Sequence, residues 1–205
     1  NLKETIFEMH EIVTTGIGRS TELKLSPVSI KSIDKNYLNV HSATNLVDAL
    51  KAVPGVSQIT TGVAIAKPVI RGLGYNRVLA LVDGIRQEGQ QWGDEHGIEV
   101  DEYGVDRIEI VKGPGSLVYG SDGLAGVINF ISPSVMPQDK SELNYIANYQ
   151  SNNQLLANSI SSLGSKKSFN WNIRATDKSA SDYKNAADGK VYNSGFNEQD
   201  FSAML

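Results

Sequence analysis

Cysteine is absent from the 205 residues, which removes disulfide staples and thiolate chemistry from consideration. No apolar run approaches the roughly 18 residues that a membrane-spanning helix needs, so a bilayer could be crossed only with β-strands. Basic charge is scarce: 19 Lys and Arg stand against 23 Asp and Glu, for a net charge of −4. No basic stripe is available to displace counterions from phosphates, and nucleic acid is not an expected partner. Histidine is limited to His10, His41 and His96, and no serine sits in a G-x-S-x-G elbow, so nucleophilic catalysis has no visible home. Residues 1–10 carry neither the basic start nor the apolar centre of a secretory leader.

What is present is an ordinary globular composition, 40% hydrophobic and 20% charged, distributed over three zones of different texture. Residues 1–22 form a mixed polar segment whose run EIVTTG at 11–16 has β-propensity but little of its own to pack against, and it reads as a mobile extension. The second zone, residues 23–134, mixes short strands with glycine-rich turns. Leu46, Val47 and Leu50 share one face at helical spacing, Ser42 precedes them and Pro54-Gly55 stops the run, which predicts a short amphipathic helix over 43–51. The run RVLALVD at 77–83 is apolar on both faces and ends in Asp83-Gly84, a buried central strand followed by a tight turn. VDRIEIV at 105–111 alternates, with Ile108 and Ile110 on one face and Arg107 and Glu109 on the other, and GVINFI at 126–131 supplies one more strand. The zone is expected to be a small α+β domain.

After Pro133 and Pro137 the period becomes two. Leu143, Tyr145, Ala147 and Tyr149 occupy odd positions, as do Phe169, Trp171, Ile173 and Ala175, against Asn, Ser and Arg on even ones. A weaker strand over 155–163 lies between, and 199–205 begins a fourth. Such alternation suits a half-buried sandwich sheet as well as a membrane barrel. A short link at 151–153, a turn expected at 164–167 and a long polar stretch from 176 to 196 favour the barrel, whose loops are short on one side and long on the other. Four strands cannot close such a barrel, so the chain is expected to be a fragment.

Glycine clusters invite nucleotide-binding readings that fail on detail. The run at 115–121 has phosphate-loop spacing but Ser121 where lysine is required, and Gly72-Leu-Gly74 is followed by Arg77 where a third glycine must stand. The stretch QEGQQWGDEHG at 87–97 is unusual: it follows a buried strand, carries one tryptophan, and clusters Asp94, Glu95 and His96. It reads as an ordered loop with two or three potential ligands for zinc or another divalent ion. The alternative is a solvated turn whose charges cap a helix or pair with Arg86.

Four motifs then occur in order: VPGV at 53–56, PVIRGLG at 68–74, RVLALVDGIR at 77–86 and VDRIEIVKGPGSLVYGSDGLAGVIN at 105–129. Together they resemble the plug domain of TonB-dependent outer-membrane receptors, and the match covers residues 23–134. The resemblance implies a plug held inside a 22-stranded transmembrane β-barrel, with residues 140–205 as an incomplete set of its first antiparallel strands. It implies an outer-membrane location in a Gram-negative bacterium, contact with outer-membrane lipid, and a TonB-type energy-transducing partner in the inner membrane. Glu11, Ile12, Val13, Thr14, Thr15 and Gly16 resemble the TonB box on which that partner pulls. Arg71, Arg107 and Glu109 resemble plug charges that pair with the barrel wall. Gln91, Trp92, Asp94, Glu95 and His96 resemble a plug-apex loop that touches substrate, and Glu95-His96 is similar to a metal-contacting pair of zinc-importing members. No cofactor is required and no enzymatic reaction is implied. The cargo would be a scarce nutrient, a divalent metal such as zinc or a metal chelate, with haem, cobalamin and sugars also open. A signal-transducing receptor, and more remotely a soluble ligand-binding domain, are the competing expectations.

Overall fold

A computed structural model describes residues 12–15, 21–22, 26, 28–41, 45–187 and 189–205. Two β-systems organise them. The first is a five-stranded sheet built from β3 (Ile30–Asp34), β6 (Val78–Val82), β7 (Ile85–Gln87), β8 (Arg107–Lys112) and β9 (Gly126–Ile131), in the order β3-β8-β9-β6-β7, with only the β6–β9 pair parallel. Its apolar content explains its place: Val78 to Leu81 and Val127 to Phe130 are buried on both faces, as a strand covered above and below must be. The two-residue turn between β6 and β7 places Asp83 at φ 50° and Gly84 at φ 83°, the left-handed pair that matches strand twist.

One face of this sheet packs on a hairpin of β4 (Val56–Thr60) with β5 (Ala66–Ile70) and on helix α2 (Leu46–Leu50). The cap of α2 is Asn45, whose side chain accepts from the Asp48 N–H at 3.1 Å, a satisfied orphan donor of the first turn. Residues 42–44, including the expected cap Ser42, lie outside the described residues. Helix α1 (Lys35–His41) follows β3 directly, started by Asp34 accepting from the Tyr37 N–H at 2.8 Å. It buries no residue, so it has no apolar period for a sequence reading to detect. The other face of the sheet meets Ile30, Val28 and Tyr119 and, from the N-terminal segment, Val13.

The second system is an antiparallel meander of β10 (Lys140–Gln150), β11 (Leu155–Lys166), β12 (Phe169–Ala180) and β15 (Phe196–Met204), each paired only to its chain neighbours. A small hairpin, β13 (Lys184–Asn185) with β14 (Gly189–Lys190), decorates the connection before β15. The register aligns Tyr145, Ile160, Ala175 and Phe201 in one row across the sheet, and Leu143, Ser162, Ile173 and Ala203 in the next. That face is apolar and exposed, with Leu143, Tyr145, Tyr149, Phe169 and Phe201 all open. The opposite face carries Arg174, Thr176 and Lys178 and turns toward the first system.

The turn expected at 164–167 falls later. β11 runs on to Lys166, and the reversal is made by Lys167, at φ 57°, before β12. Gly164 serves a different purpose: it is cross-strand from Trp171, and a Cβ there would run into the indole ring. A glycine in a strand interior here marks close approach, not a bend.

Gly126 makes a comparable demand inside the five-stranded sheet, where a Cβ would stand 2.5 Å from the Val111 carbonyl and 2.8 Å from the Ile70 side chain. Gly126→Ala is expected to destabilise this unit by about 1–3 kcal/mol through overpacking. The check is the urea concentration at which residues 45–131 become protease-sensitive in the full-length protein, which should fall.

Candidate functional site

Residues 12–15 are docked, which corrects the reading of this stretch as part of a mobile extension. Strand β1 (Ile12–Val13) pairs antiparallel with β2 (Thr21–Glu22), and Val13 and Thr15 are fully buried. The reason lies in the middle of the sheet. Glu109 on β8 and Asn129 on β9 are cross-strand partners, both buried on the face that alternation assigned to polar residues. Buried polar groups must be answered by hydrogen bonds. Glu109 Oε2 accepts from the Thr14 N–H at 2.9 Å, the Thr15 N–H at 2.8 Å and the Thr15 hydroxyl at 2.6 Å, while Oε1 accepts from Arg107 Nε at 2.8 Å. Asn129 Nδ2 donates to Thr15 Oγ1 at 3.0 Å, and the Tyr119 hydroxyl donates to the Thr15 carbonyl at 2.9 Å. Burial raises the Glu109 pKa, but the hydrogen bonds from Thr15, Thr14 and Arg107 outweigh it and leave the carboxyl below its ordinary value. Of the residues resembling a TonB box, Ile12, Val13, Thr14 and Thr15 are described, and Glu11 and Gly16 lie outside the described residues.

The charges that resemble plug-to-wall contacts do not reach the described strands. Arg107 and Glu109 pair with each other and with the N-terminal segment. Arg71 is exposed at φ 51°, its N–H donating to the Gly55 carbonyl at 2.8 Å. The clasp onto the meander is made instead by Asp101 and Glu102, which the sequence reading missed. Asp101 Oδ1 caps a 3-10 turn over 102–104 by accepting from the Tyr103 N–H, while Oδ2 accepts from Arg174 Nε at 2.7 Å and Thr176 Oγ1 at 2.9 Å. Lys178 Nζ donates to Glu102 at 2.6 Å and to Glu198 at 2.7 Å. Gly104 lets the Arg174 guanidinium lie against the backbone, where any Cβ would collide with it. Burial pushes the Glu102 carboxyl up to about 7, against the pull of Lys178. The basic side chains Arg174 and Lys178 on the inward face of β12 are the available signal, but nothing local names their partners.

The loop over 87–97 is ordered and tied down. Lys67 Nζ donates to the Trp92 carbonyl at 2.9 Å and to that of Gly93, and Thr61 Oγ1 donates to the Asp94 carbonyl at 2.8 Å. The Tyr75 hydroxyl donates to Asp94 Oδ1 at 2.6 Å, and Gln91 turns back to accept from the Gly89 N–H at 3.0 Å. Arg86 pairs with Glu88 at 3.3 Å and with Asp122 at 2.8 Å, so the solvated-turn alternative holds for Glu88. Trp92, Glu95 and His96 project outward, with His96 Nε2 3.7 Å from Glu95 Oε1. Among the described residues no cluster of three His, Cys, Asp or Glu side chains that could hold a metal includes this pair.

With that geometry in place, comparison with known proteins is decisive about class. The family model for the TonB-dependent receptor plug domain matches residues 22–127. Curated relatives include an iron-regulated outer-membrane virulence protein of Vibrio cholerae, 38% identical over 59% of this chain and 20% of its own length. A hemin receptor of Yersinia enterocolitica is 35% identical over 63% and 19%, and a vitamin B12 transporter of Vibrio vulnificus is 39% identical over 50% and 17%. Solved structures of similar fold include a copper transporter (TM-score 0.72, 19% identity, 85% of this chain and 27% of that one). A haemophore receptor of Serratia marcescens with its haemophore and heme is another (TM-score 0.72, 21% identity, 86% and 28%).

The chain belongs to the TonB-dependent receptor family and carries its plug domain. Its place is the outer membrane of a Gram-negative bacterium. It spans about a fifth of the length of the curated relatives it matches.

Glu109→Ala is expected to weaken docking of residues 13–15 by about 2 kcal/mol, the order for hydrogen bonds made to a charged group. Faster proteolytic cleavage at residues 12–15 of the full receptor would report it. Because the folded pKa of Glu109 lies below its ordinary 4.5, its stabilisation is whole above about pH 4.5 and is lost as pH falls through the folded value. Cleavage at residues 12–15 by an acid-active protease should therefore rise on acidification in the wild type and lose that part of its pH dependence in Glu109→Ala.

Proposed function

We propose that this chain is the gate and the first stretch of wall of an active importer that takes a metal chelate across the outer membrane. Residues 1–22 carry the TonB box at 11–16, residues 23–134 are the plug, and the strands from residue 140 onward open a 22-stranded barrel. The observation that carries this reading is the two-sidedness of the meander. One face exposes Leu143, Tyr145, Tyr149, Phe169 and Phe201 in ordered rows, as lipid contact requires, while the other holds the plug through Arg174, Thr176 and Lys178. Outward apolar and inward polar residues alternate in this way along barrel strands in a bilayer.

Transport on this reading is driven from outside the chain. Substrate settles on the plug-apex loop at Gln91, Trp92, Asp94, Glu95 and His96 and favours the state in which the N-terminal segment is released, by differential affinity for the two states. The energised inner-membrane partner then captures that segment by adding it to a sheet edge. Ile12 and Val13 are already in strand conformation but are paired with β2 through only two residues, so a longer edge can displace that pairing. A chelate is favoured over a bare ion because Glu95 and His96 offer two donors, short of a complete zinc set. The hemin and vitamin B12 relatives lend support to the same class.

The experiment is complementation of a strain lacking the full-length receptor, on media limited singly for iron, haem, cobalamin or zinc. Wild type should restore growth on one chelate, and a deletion of residues 11–16 should not. Rescue by the deletion would show the TonB box or the energised mechanism to be misplaced. Glu95→Gln combined with His96→Ala is expected to raise the half-saturating concentration of that chelate about tenfold, or ~1.4 kcal/mol. An unchanged value would remove those side chains from the substrate site.

A further inference from the structure

Lys67 is a lysine where strand pattern asks for an apolar residue. It stands second in β5, a strand buried throughout, and only 1% of it is exposed. Lysine is almost never withdrawn this far without compensation. Its ammonium is met by the carbonyls of Trp92 and Gly93 and by the face of the Tyr75 ring, 4.7 Å from the centroid. An ammonium has three donors and a long flexible stem, so it can reach out of a buried strand and gather two successive carbonyls of another segment.

We propose that Lys67 is a positioning residue for the plug-apex loop: by holding the carbonyls of Trp92 and Gly93 inward, it fixes the outward projection of Trp92, Glu95 and His96 and thereby sets the affinity for a metal chelate that it never touches. The affinity part rests on the reading of this loop as the substrate contact. The surroundings agree with a built support. The residue before Lys67, Ala66, accepts from the Ile98 N–H at 3.2 Å and packs its backbone against Gly97, so adjacent positions of β5 hold the middle and the end of the same loop. Gln90, also buried, donates to the carbonyls of Tyr75 at 3.2 Å and Val78 at 2.8 Å. Tyr75, whose ring covers Lys67, sits at φ 56° and spends its hydroxyl on Asp94. The loop contains Gly89, Gly93 and Gly97, and without such ties its ordering would have to occur on binding, at a cost in affinity.

The test uses the full-length receptor in a cysteine-free background, with one nitroxide at position 95 (Glu95→Cys) and, separately, a control nitroxide at position 117 (Leu117→Cys). Lys67→Met should convert the label at 95 from an immobilised to a fast-tumbling spectrum and leave the label at 117 unchanged. In the unlabelled receptor, Lys67→Met should raise the Kd for hemin, the binding probe, at least tenfold. Lys67→Gln, which keeps a polar head but falls short of the two carbonyls, should loosen position 95 in the same way, and it serves if the Met variant fails to reach the membrane. An unchanged spectrum at 95 overturns the proposal, and equal loosening at 95 and 117 overturns it in favour of a general packing role. Loosening at 95 alone with hemin affinity intact upholds the positioning and instead sinks the loop as the contact for that chelate.

Discussion

A carboxylate without water must be answered by donors, and the arrangement around Glu109 is the constraint on which the plug domain depends. The carboxylate lies in the centre of the plug sheet beside the amide of Asn129, where an apolar pair would have closed the core with no help from elsewhere. Because the pair is polar, the sheet is complete only when a segment some ninety residues away in sequence supplies two backbone N–H groups and a hydroxyl. Folding of the plug and docking of residues 13–15 are thereby coupled through Glu109, with Asn129 and Tyr119 adding their own bonds to Thr15. The stability that docking adds comes from hydrogen bonds made to a charged group, each stronger than one between neutral partners.

The attachment of plug to meander follows a different logic. Asp101 caps its own turn with one oxygen and binds β12 with the other, so the local geometry of the plug and its grip on β12 share a residue. Lys178 bridges Glu102 of the plug and Glu198 of β15, tying one plug side chain to two strands of the meander.

Much of the fold was legible in the residues. The strands at 78–82, 107–112 and 126–131 are short apolar runs bounded by turn signals, and the meander declares itself by strict alternation. What escaped is what depends on distant partners. Alternation places Glu109 with Arg107 on a polar face, and that is right about the face but silent about the segment that covers it. Lys67 interrupts an otherwise apolar β5, and no local pattern reveals that its charge is met by a loop 25 residues on. Gly164 suggests a turn between two strands, whereas its actual reason, the Trp171 indole across the ladder, is a cross-strand property. Helix α1 escapes a pattern reading because none of its residues is fully buried and only Tyr37 and Leu38 lie part-buried against the core. The stretch at 87–97 is legible as a loop and as polar, but which carbonyls turn inward is decided by a strand outside it.

The short pairing of β1 with β2 has a mechanical side. Ile12 stands opposite Glu22 and Val13 opposite Thr21, so the incoming and outgoing ends of this hairpin emerge at the same end of the ladder. Tension applied at the N-terminus therefore loads its hydrogen bonds one after another, as a zip opens, and not all together as in shear. Each yields at low force. The first element in line that resists as a unit is the cluster of bonds that Glu109, Asn129 and Tyr119 make to Thr14 and Thr15, which makes resistance to traction here a local property of three side chains.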